Sequence, residues 1–383
     1  MSLPEPTSDA LAASHALQHQ IAADIARHDG AISFASYMEQ ALYAPGLGYY
    51  SGGSAKLGKD GDFTTAPELT PLFGAALAQV AAAIIAQSAP SILEFGAGTG
   101  KLARDILTEL ARAGVALERY AIVELSGELR ARQQQALRDF PQVVWLDGFP
   151  DAFDGVVIGN EVLDAMPVDL ITKTPDGWRA LDVTVRDGAF AYQEGAPSAA
   201  LLAQVASQIA DAEALPVGYV TELHGTACGF MATLARMLER GQGGAAILLD
   251  YGFPAHEYYL GQRATGTLMC HYRHHAHADA FYLPGLQDIT AHVDFTAMAL
   301  AAQDAGTSVL AYMSQAAFLL GAGIGELLLR TDPADARAYL PQANALQKLL
   351  SPAEMGELFK VLVVGKNVAL PAAIEAADRS HRL

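Results

Sequence analysis

Two segments of the chain carry residue types that could bind and transfer a small chemical group. The first is ILEFGAGTG, residues Ile92–Gly100, in which an apolar run leads into three alternating glycines. Glycine lets a backbone turn tightly and approach a ligand closely, and the first N–H groups of a following helix are free to bind that ligand. The segment therefore predicts a strand–turn–helix ligand site in which Gly96, Gly98 and Gly100 face the ligand.

An acidic residue just before this turn indicates which ligand it binds. The spacing is G-x-G-x-G, whereas dinucleotide-binding enzymes use G-x-G-x-x-G, and Glu94 stands two positions before Gly96. A carboxylate there would repel a pyrophosphate, but it could lie near the cationic sulfonium and ammonium groups of S-adenosylmethionine. The pattern favours that methyl donor over NAD. An NAD-dependent oxidoreductase and a purely structural corner stay open as alternatives.

Two further acids follow the next predicted strands. Glu124 ends the run AIVE, and a carboxylate at the tip of a second parallel strand can accept hydrogen bonds from ribose hydroxyls. Asp147 follows the third apolar run and precedes Gly148, so it could meet the adenine edge or belong to a plain turn. We expect both acids to contact the donor.

The second chemical segment is GNEVLDAMP, residues 159–167, which follows the fourth predicted strand. Asn160, Glu161 and Asp164 supply one amide and two carboxylates within five positions. Methyl transfer depends on orienting a nucleophile in line with the methyl carbon. A guanidinium is a demanding nucleophile because its pKa exceeds about 12, and carboxylates that bind it bidentately fix its plane. The acids therefore predict an arginine acceptor, with capping of the following turn as the alternative.

These segments need a framework that brings strand ends together. Predicted strands alternate with predicted helices, which indicates a parallel sheet in an α/β fold. The predicted strands are Ser91–Phe95, Tyr120–Glu124, Val143–Leu146 and Gly155–Gly159, and the helices between them are Lys101–Ala113 and Ser126–Arg138. Ligands of open parallel sheets bind at the carboxyl ends of the strands. The glycine turn and the Asn160–Asp164 segment are therefore expected at the same edge.

The rest of the sequence predicts segments around that core. Two helices are expected within residues 9–44 and another over 72–87, separated by a Gly- and Tyr-rich run. Turn signals predict an antiparallel hairpin over 168–193. The later predictions are helices near 198–212, 225–240, 293–305, 314–329 and 352–358, strands near 245–249, 308–312 and 359–364, and a His-rich loop over 270–292.

Bulk composition narrows the class of protein. With 383 residues, we expect an N-terminal helical and lid segment (1–88), a core (89–165 and 243–370) and an inserted hairpin with helices (166–242).

The 42 acids outnumber 24 Lys and Arg residues, for a net charge of −18. Such a surface repels phosphate backbones, so nucleic acid is a poor partner. A solubilising surface is the simpler explanation of that charge.

No segment predicts a membrane span or a secretory leader. No run reaches about 18 uninterrupted apolar residues, and the start of the sequence lacks a basic stretch followed by an apolar one. Cys228 and Cys270 are far apart and show no C-x-x-C spacing, which fits a reducing cytosol. We therefore expect a cytoplasmic bacterial enzyme.

Other polar residues have simpler interpretations. Four histidines cluster in the predicted loop without completing a tetrahedral ligand set, so we expect no metal site; they are His271, His274, His275 and His277. Ser126 is expected to cap the helix that starts there, and either Asp288 or Asp294, around the DITAHVDF turn, is expected to cap a helix there. Glu222 ends a predicted strand and is a further candidate for a carboxylate that faces arginine, and Asp250, at the end of LLDYG, is expected to face the same crevice.

Longer stretches match one family, in order, along nearly the whole chain. They are GYY (48–50), GKDGDFTTAPELTPLFG (58–74), EFGAGTG (94–100), NEVLDAMPV (160–168), KTPDGW (173–178), LLDYG (248–252), PGLQDITAHVDF (284–295) and MGELFKVL (355–362). On these segments the chain resembles the MidA family of methyltransferases. The resemblance implies a Rossmann-like class I methyltransferase fold with a seven-stranded, mostly parallel sheet, and S-adenosyl-L-methionine as the cofactor.

The same resemblance implies a protein partner. The family includes a mitochondrial enzyme that methylates an arginine of a core subunit of respiratory complex I, so the expected substrate is a protein with an exposed arginine. By position, the residues Asn160–Asp164 would face that acceptor. The segment Asp62–Glu68, with Thr65 and Pro67, would cover the donor. A non-catalytic factor that binds the same partner during complex I assembly is the alternative.

Overall fold

The computed structural model describes residues 3–52 and 65–383 of the chain, so Asp62, Phe63 and Thr64 of the expected lid lie outside the described residues. The strands are, in chain order, β1 (Ala31–Ile32), β2 (Ser91–Phe95), β3 (Arg119–Val123), β4 (Val143–Leu146), β5 (Gly155–Asn160), β6 (Asp169–Thr174), β7 (Gly177–Arg186), β8 (Ala189–Gly195), β9 (Val220–Leu223), β10 (Gly244–Phe253), β11 (Met269–Tyr272), β12 (His275–His277), β13 (Asp288–Thr290), β14 (Val293–Asp294), β15 (Ser308–Ser314) and β16 (Phe359–Lys366).

The α-helices are, in chain order, α1 (Ser8–Arg27), α2 (Phe34–Tyr43), α3 (Ala66–Leu69), α4 (Pro71–Ile85), α5 (Lys101–Arg112), α6 (Gly127–Ala136), α7 (Ala199–Gln208), α8 (Gly225–Arg240), α9 (Ala255–Tyr258), α10 (Phe295–Asp304), α11 (Gln315–Gly321), α12 (Ile324–Leu328), α13 (Ala336–Leu350) and α14 (Ala372–Ala376). No helix in the described ranges is long and apolar enough to cross a membrane.

The chain divides into two compact units, each assembled from three stretches of sequence. The first unit contains Met1–Phe63, Asp164–Gly229 and Phe253–Ala297, and the second contains Thr64–Leu163, Phe230–Gly252 and Met298–Leu383. These units are defined by long-range packing. The domain boundaries expected from the sequence stay a prediction.

The second unit is built on a sheet in which seven strands lie in the order β15-β16-β10-β5-β2-β3-β4. Neighbours from β10 to β4 are parallel, whereas β16 runs antiparallel to both β10 and β15. Chain order reverses between β2 and β5, and ligands of open α/β sheets bind at the carboxyl ends beside such a reversal. The glycine turn and Asn160 lie at the carboxyl ends of these two strands.

The central strands and their helices form where the sequence is most apolar. The strands β2 and β5 are buried along almost their whole length, as strands covered on both faces must be. Helix α4 begins at Pro71, a favoured first helical residue, and the Thr70 hydroxyl accepts a hydrogen bond from the Leu72 N–H at 3.2 Å. Nearly all of α4 is buried, and it packs against α5 in the core of this unit.

The first unit contains an antiparallel sheet with the order β1-β7-β6-β9 and with β8 paired to β7. The hairpin predicted over 168–193 is confirmed, since β6, β7 and β8 form consecutive antiparallel pairs. Two short segments from elsewhere in the chain, β1 and β9, extend this sheet. Their pairing is non-local, and local sequence patterns did not predict it.

The His-rich segment predicted as a loop is partly wrong. His271 lies in β11, and His275 and His277 lie in β12, which pairs antiparallel with β11. Alternate burial explains the strand, because Cys270 and Tyr272 are buried on either side of the less buried His271. Among the described residues, no group of three or more His, Cys, Asp or Glu side chains could hold a metal ion.

Near the carboxyl terminus, one predicted helix is wrong, and two helices, α13 and the short α14, were missed. Residues 352–358 form turns, and a Cβ on Gly356 would collide with the Leu350 carbonyl, so this close backbone approach requires glycine. Helix α13 was missed because it contains Pro341, which lacks the N–H of a regular helical residue. The Asp335 side chain caps α13 by accepting from two backbone N–H groups.

Candidate active site

The glycine turn connects β2 to α5 through three residues in the left-handed region. The φ angles are +64° at Gly96, +53° at Gly98 and +81° at Gly100, and non-glycine residues rarely adopt such values. Gly96 is exposed, whereas Gly100 is buried. A Cβ on Gly100 would come within 3.4 Å of the Gln133 Cα in α6. That distance is an ordinary van der Waals contact, so it is the left-handed backbone at Gly100, and not a steric clash with α6, that favours glycine.

Glu94 lies inside the sheet, two residues before the turn. The residue is 2% exposed, and its carboxyl group accepts a hydrogen bond from the Tyr120 hydroxyl at 2.7 Å. Burial raises the pKa of Glu94 to about 7, and the nearby charge of Glu124 acts in the same direction. A cation bound close to this carboxyl would lower that pKa and would itself be stabilised.

Glu124 follows β3, and two donors of the chain fix both of its carboxylate oxygens. The Ser126 N–H donates to Oε1 at 2.9 Å, and the Gln133 side-chain amide donates to Oε2 at 2.8 Å. Burial raises the pKa of Glu124, while these donors lower it. Each oxygen keeps a lone pair that can accept a further hydrogen bond. Ser126 also caps α6, as the sequence predicted.

Asp147 and Leu125 both have largely exposed side chains. The Asp147 side chain is 92% exposed and forms an ion pair with Arg130 at 2.8 Å. Leu125, directly after Glu124, is 79% exposed. The sequence analysis did not single out Leu125, whose exposed apolar side chain directly follows the Glu124 carboxylate. The signal available in the sequence was a leucine between Glu124 and Ser126, in an otherwise polar turn.

The described end of the expected lid is attached to the glycine turn. Thr65 directly precedes α3, and Pro67 within α3 is buried. The Thr99 hydroxyl of the turn donates to the Glu68 carboxylate at 2.6 Å. The structure therefore brings the Thr65–Glu68 segment together with the glycine turn.

The residues after β5 have an unusual backbone. Glu161 has a φ of +54° although it is not glycine, and its carboxylate accepts a hydrogen bond from the Asn160 side-chain amide at 3.0 Å. The Asn160 Oδ1 is buried and has no hydrogen-bond donor among the residues described. Strained non-glycine residues persist where the surroundings hold them, and they cluster at functional sites. An unsatisfied buried acceptor is similarly costly unless a ligand supplies the donor.

Asp250, which the sequence predicted to face the crevice at the strand ends, supports this segment from β10. Its Oδ2 accepts from the backbone N–H groups of Val162 at 3.1 Å and Leu163 at 2.8 Å, and its Oδ1 accepts from Tyr251. The Leu249 carbonyl also accepts from the Glu161 N–H at 2.9 Å. Asp250 thus holds the backbone that carries Asn160 and Glu161.

Asp164, the third predicted acceptor residue, begins a stretch of the first unit. Its side chain is buried, and its backbone carbonyl accepts from the Ala291 N–H at 3.0 Å. In the same unit, the Glu222 carboxylate accepts from the Thr267 and Leu268 N–H groups and from the Tyr258 hydroxyl. Glu222 is fully buried, so in this structure it stabilises the unit internally.

Asp294 caps α10, as predicted.

The strand order, the glycine turn after the central strand and the acid at the tip of the neighbouring strand define a class I methyltransferase fold. The family model for S-adenosyl-L-methionine-dependent methyltransferases matches residues 72–313. The chain belongs to this family, the MidA family of methyltransferases. Its cofactor is therefore S-adenosyl-L-methionine.

Solved and curated relatives agree with this assignment. A COG1565 superfamily member from Burkholderia thailandensis, solved with S-adenosyl-homocysteine, is 52% identical, with 100% of both chains covered and a TM-score of 0.94. A native structure of a COG1565 superfamily protein from the same organism is also 52% identical, with 100% of both chains covered and a TM-score of 0.91. The mouse mitochondrial protein arginine methyltransferase NDUFAF7 is 30% identical over 86% of this chain and 80% of the relative.

Proposed function

We propose that this chain transfers a methyl group from S-adenosylmethionine to the guanidinium of an arginine in a protein. The observation that carries the proposal is the segment after β5, where Glu161 is held in a strained conformation beside an unsatisfied Asn160 oxygen. A guanidinium offers several N–H donors in one plane, which suits a carboxylate next to an amide oxygen. The name of the mouse relative, a protein arginine methyltransferase, supports the same substrate class.

The donor would be held by the glycine turn and the acids around it. Gly96, Gly98 and Gly100 let the backbone approach the ligand, and Glu124 accepts hydrogen bonds from the ribose hydroxyls. The remaining proposed donor contacts are Glu94 near the cationic end, Asp147 at the adenine edge, and Thr65 and Pro67 on the lid side. S-adenosylmethionine, when bound, supplies an electrophilic methyl group on a cationic sulfur.

The acceptor residues would orient the guanidinium and hold its proton. Glu161 binds two N–H groups bidentately, which fixes the plane of the guanidinium, and the Asn160 oxygen accepts a third. Asp164 is proposed as the second carboxylate. The positive charge of the guanidinium then stays on the nitrogens that the carboxylates bind, and the nitrogen that they do not bind is the nucleophile. Most of the rate enhancement would come from this positioning. Either carboxylate can accept the proton released on transfer.

The class of partner follows from the acceptor and the charge. A protein segment that carries arginine is basic, and a chain with a net charge of −18 attracts it over several ångströms. The family resemblance makes a core subunit of respiratory complex I the first acceptor to test. A non-catalytic role in complex I assembly is the competing outcome of that test.

The test uses the donor with a labelled methyl group and extract from cells that lack the protein. We expect label in one or a few proteins after the purified chain is added, and acid hydrolysis should release the label as N-methylarginine. Label recovered in another amino acid or in small molecules would contradict the arginine proposal. Donor binding without any labelled product would favour the assembly role.

A further inference from the structure

A single buried side chain links the donor turn to the acid that is proposed to bind ribose. The Gln133 side chain, on α6, is fully buried. Its Nε2 donates to the Gly98 carbonyl at 3.0 Å and to the Glu124 Oε2 at 2.8 Å, and its Oε1 accepts from the Trp145 indole N–H at 3.0 Å. Both amide hydrogens and the amide oxygen are thus used.

The chemistry of these three partners allows one orientation of the amide. The indole nitrogen of Trp145 can only donate, so it requires the amide oxygen. The Gly98 carbonyl and the Glu124 carboxylate can only accept, so they require the two amide hydrogens. Trp145 on β4 therefore fixes Gln133, and Gln133 fixes Glu124 relative to the glycine turn.

We propose that Gln133 is a positioning residue that sets how strongly the chain recognises the ribose hydroxyls of its donor. The inference rests on the proposed ribose role of Glu124. Without Gln133, Glu124 would keep the backbone N–H groups of Ser126, on the other oxygen, and of Leu125, but it would lose its side-chain donor. The carboxylate would then be freer to rotate, and water would compete for the oxygen that Gln133 had bound. Both effects would weaken the hydrogen bonds from Glu124 to the ribose hydroxyls.

The test compares two ligands against two matched variants. Calorimetry would measure binding of S-adenosylhomocysteine and of its analogue without the 2′ and 3′ hydroxyls. In Gln133→Met we expect S-adenosylhomocysteine to bind about tenfold more weakly, whereas the affinity for the analogue should change by less than about twofold. The reason is that Glu124 forms its charged hydrogen bond only with a ligand that has the hydroxyls. The control is Gln134→Met, the same change at the exposed neighbour on α6, and it should keep both affinities.

A purely structural role predicts a different result. If Gln133→Met weakens both ligands by the same factor, or weakens neither, the positioning role is wrong. Trp145→Phe serves as a milder second variant, since it keeps Gln133 and removes only the group that orients it. We expect it to reduce the preference for the hydroxylated ligand by about threefold, and an unchanged preference would count against the proposal.

One further variant separates this proposal from its premise. Glu124→Gln should abolish the preference for ribose hydroxyls. If that preference survives in Glu124→Gln, the ribose assignment itself fails and the role of Gln133 fails with it. If the preference is lost in Glu124→Gln but kept in Gln133→Met, only the positioning role fails.

Discussion

Glu161 adopts a backbone conformation that costs folding free energy, and its neighbours hold it there. A left-handed conformation costs a non-glycine residue roughly 1–2 kcal/mol, and Glu161 has a φ of +54°. The Leu249 carbonyl and the Asp250 carboxylate bind the backbone on either side of its Cα. The direction of this side chain is thus determined by β10, and its sequence neighbours alone could not have predicted it.

The first prediction concerns the Glu161 carboxylate. Glu161→Gln keeps the size and the backbone preference but removes the charge that binds a guanidinium, so methyl transfer should fall by at least about 100-fold. S-adenosylhomocysteine should bind as in the unaltered chain. Methyl transfer to the labelled acceptor and calorimetry measure the two quantities, and Glu118→Gln, at an exposed position of the same unit, is the control. Unchanged turnover in Glu161→Gln would mean that the acceptor site lies elsewhere.

At the scale of the element, the strand–turn–helix unit was predictable because its causes are local. An apolar strand, three glycines with positive φ and a helix start lie within a few consecutive residues. The burial of Gln133 was not predictable in the same way, because a glutamine in the polar helix α6 is expected to be exposed. Its burial arises from three partners that lie 9 to 35 positions away in sequence.

The second prediction tests the glycine turn. Gly98→Val places a β-branched residue at a φ of +53°, where it fills the space that the proposal gives to the donor, so donor affinity should fall by at least about tenfold. Gly114→Val is the matched control, because Gly114 has a φ of +72° and a Cβ there contacts nothing within 4 Å. Both variants should lose about 1–2 kcal/mol of stability. Equal donor affinity in Gly98→Val and Gly114→Val would mean that the glycine turn does not bind the donor.

At the scale of the whole molecule, two units interleave along the sequence. Each unit draws on three separate stretches of chain, and pairs such as β1 with β7 and β6 with β9 join residues that are distant in sequence. Periodicity identifies strands and helices but contains no information on such pairings. The parallel core was predictable because its strands and helices alternate, whereas the assembly of the first unit was not.

The third prediction concerns stability and pH. Burial raises the pKa of Glu94 from 4.5 to about 7, so the folded chain binds this proton more tightly than the unfolded chain does. Stability is therefore lost as pH rises from about 4.5 to about 7, by an amount on the order of 3 kcal/mol. Glu94→Gln keeps an acceptor for Tyr120 without this penalty. Its unfolding temperature should exceed that of the unaltered chain at pH 8 and match it near pH 4.5, and an equal difference at both values would contradict the assignment.

The central claim is that the chain methylates a protein arginine, and mass spectrometry of arginine methylation in cells tests it most directly. Three strains are compared, in which the protein is absent, restored, or restored as Glu161→Gln. We predict at least one arginine-containing peptide that is methylated only in the strain with the unaltered protein. The same set of methylated arginines in all three strains would contradict the claim.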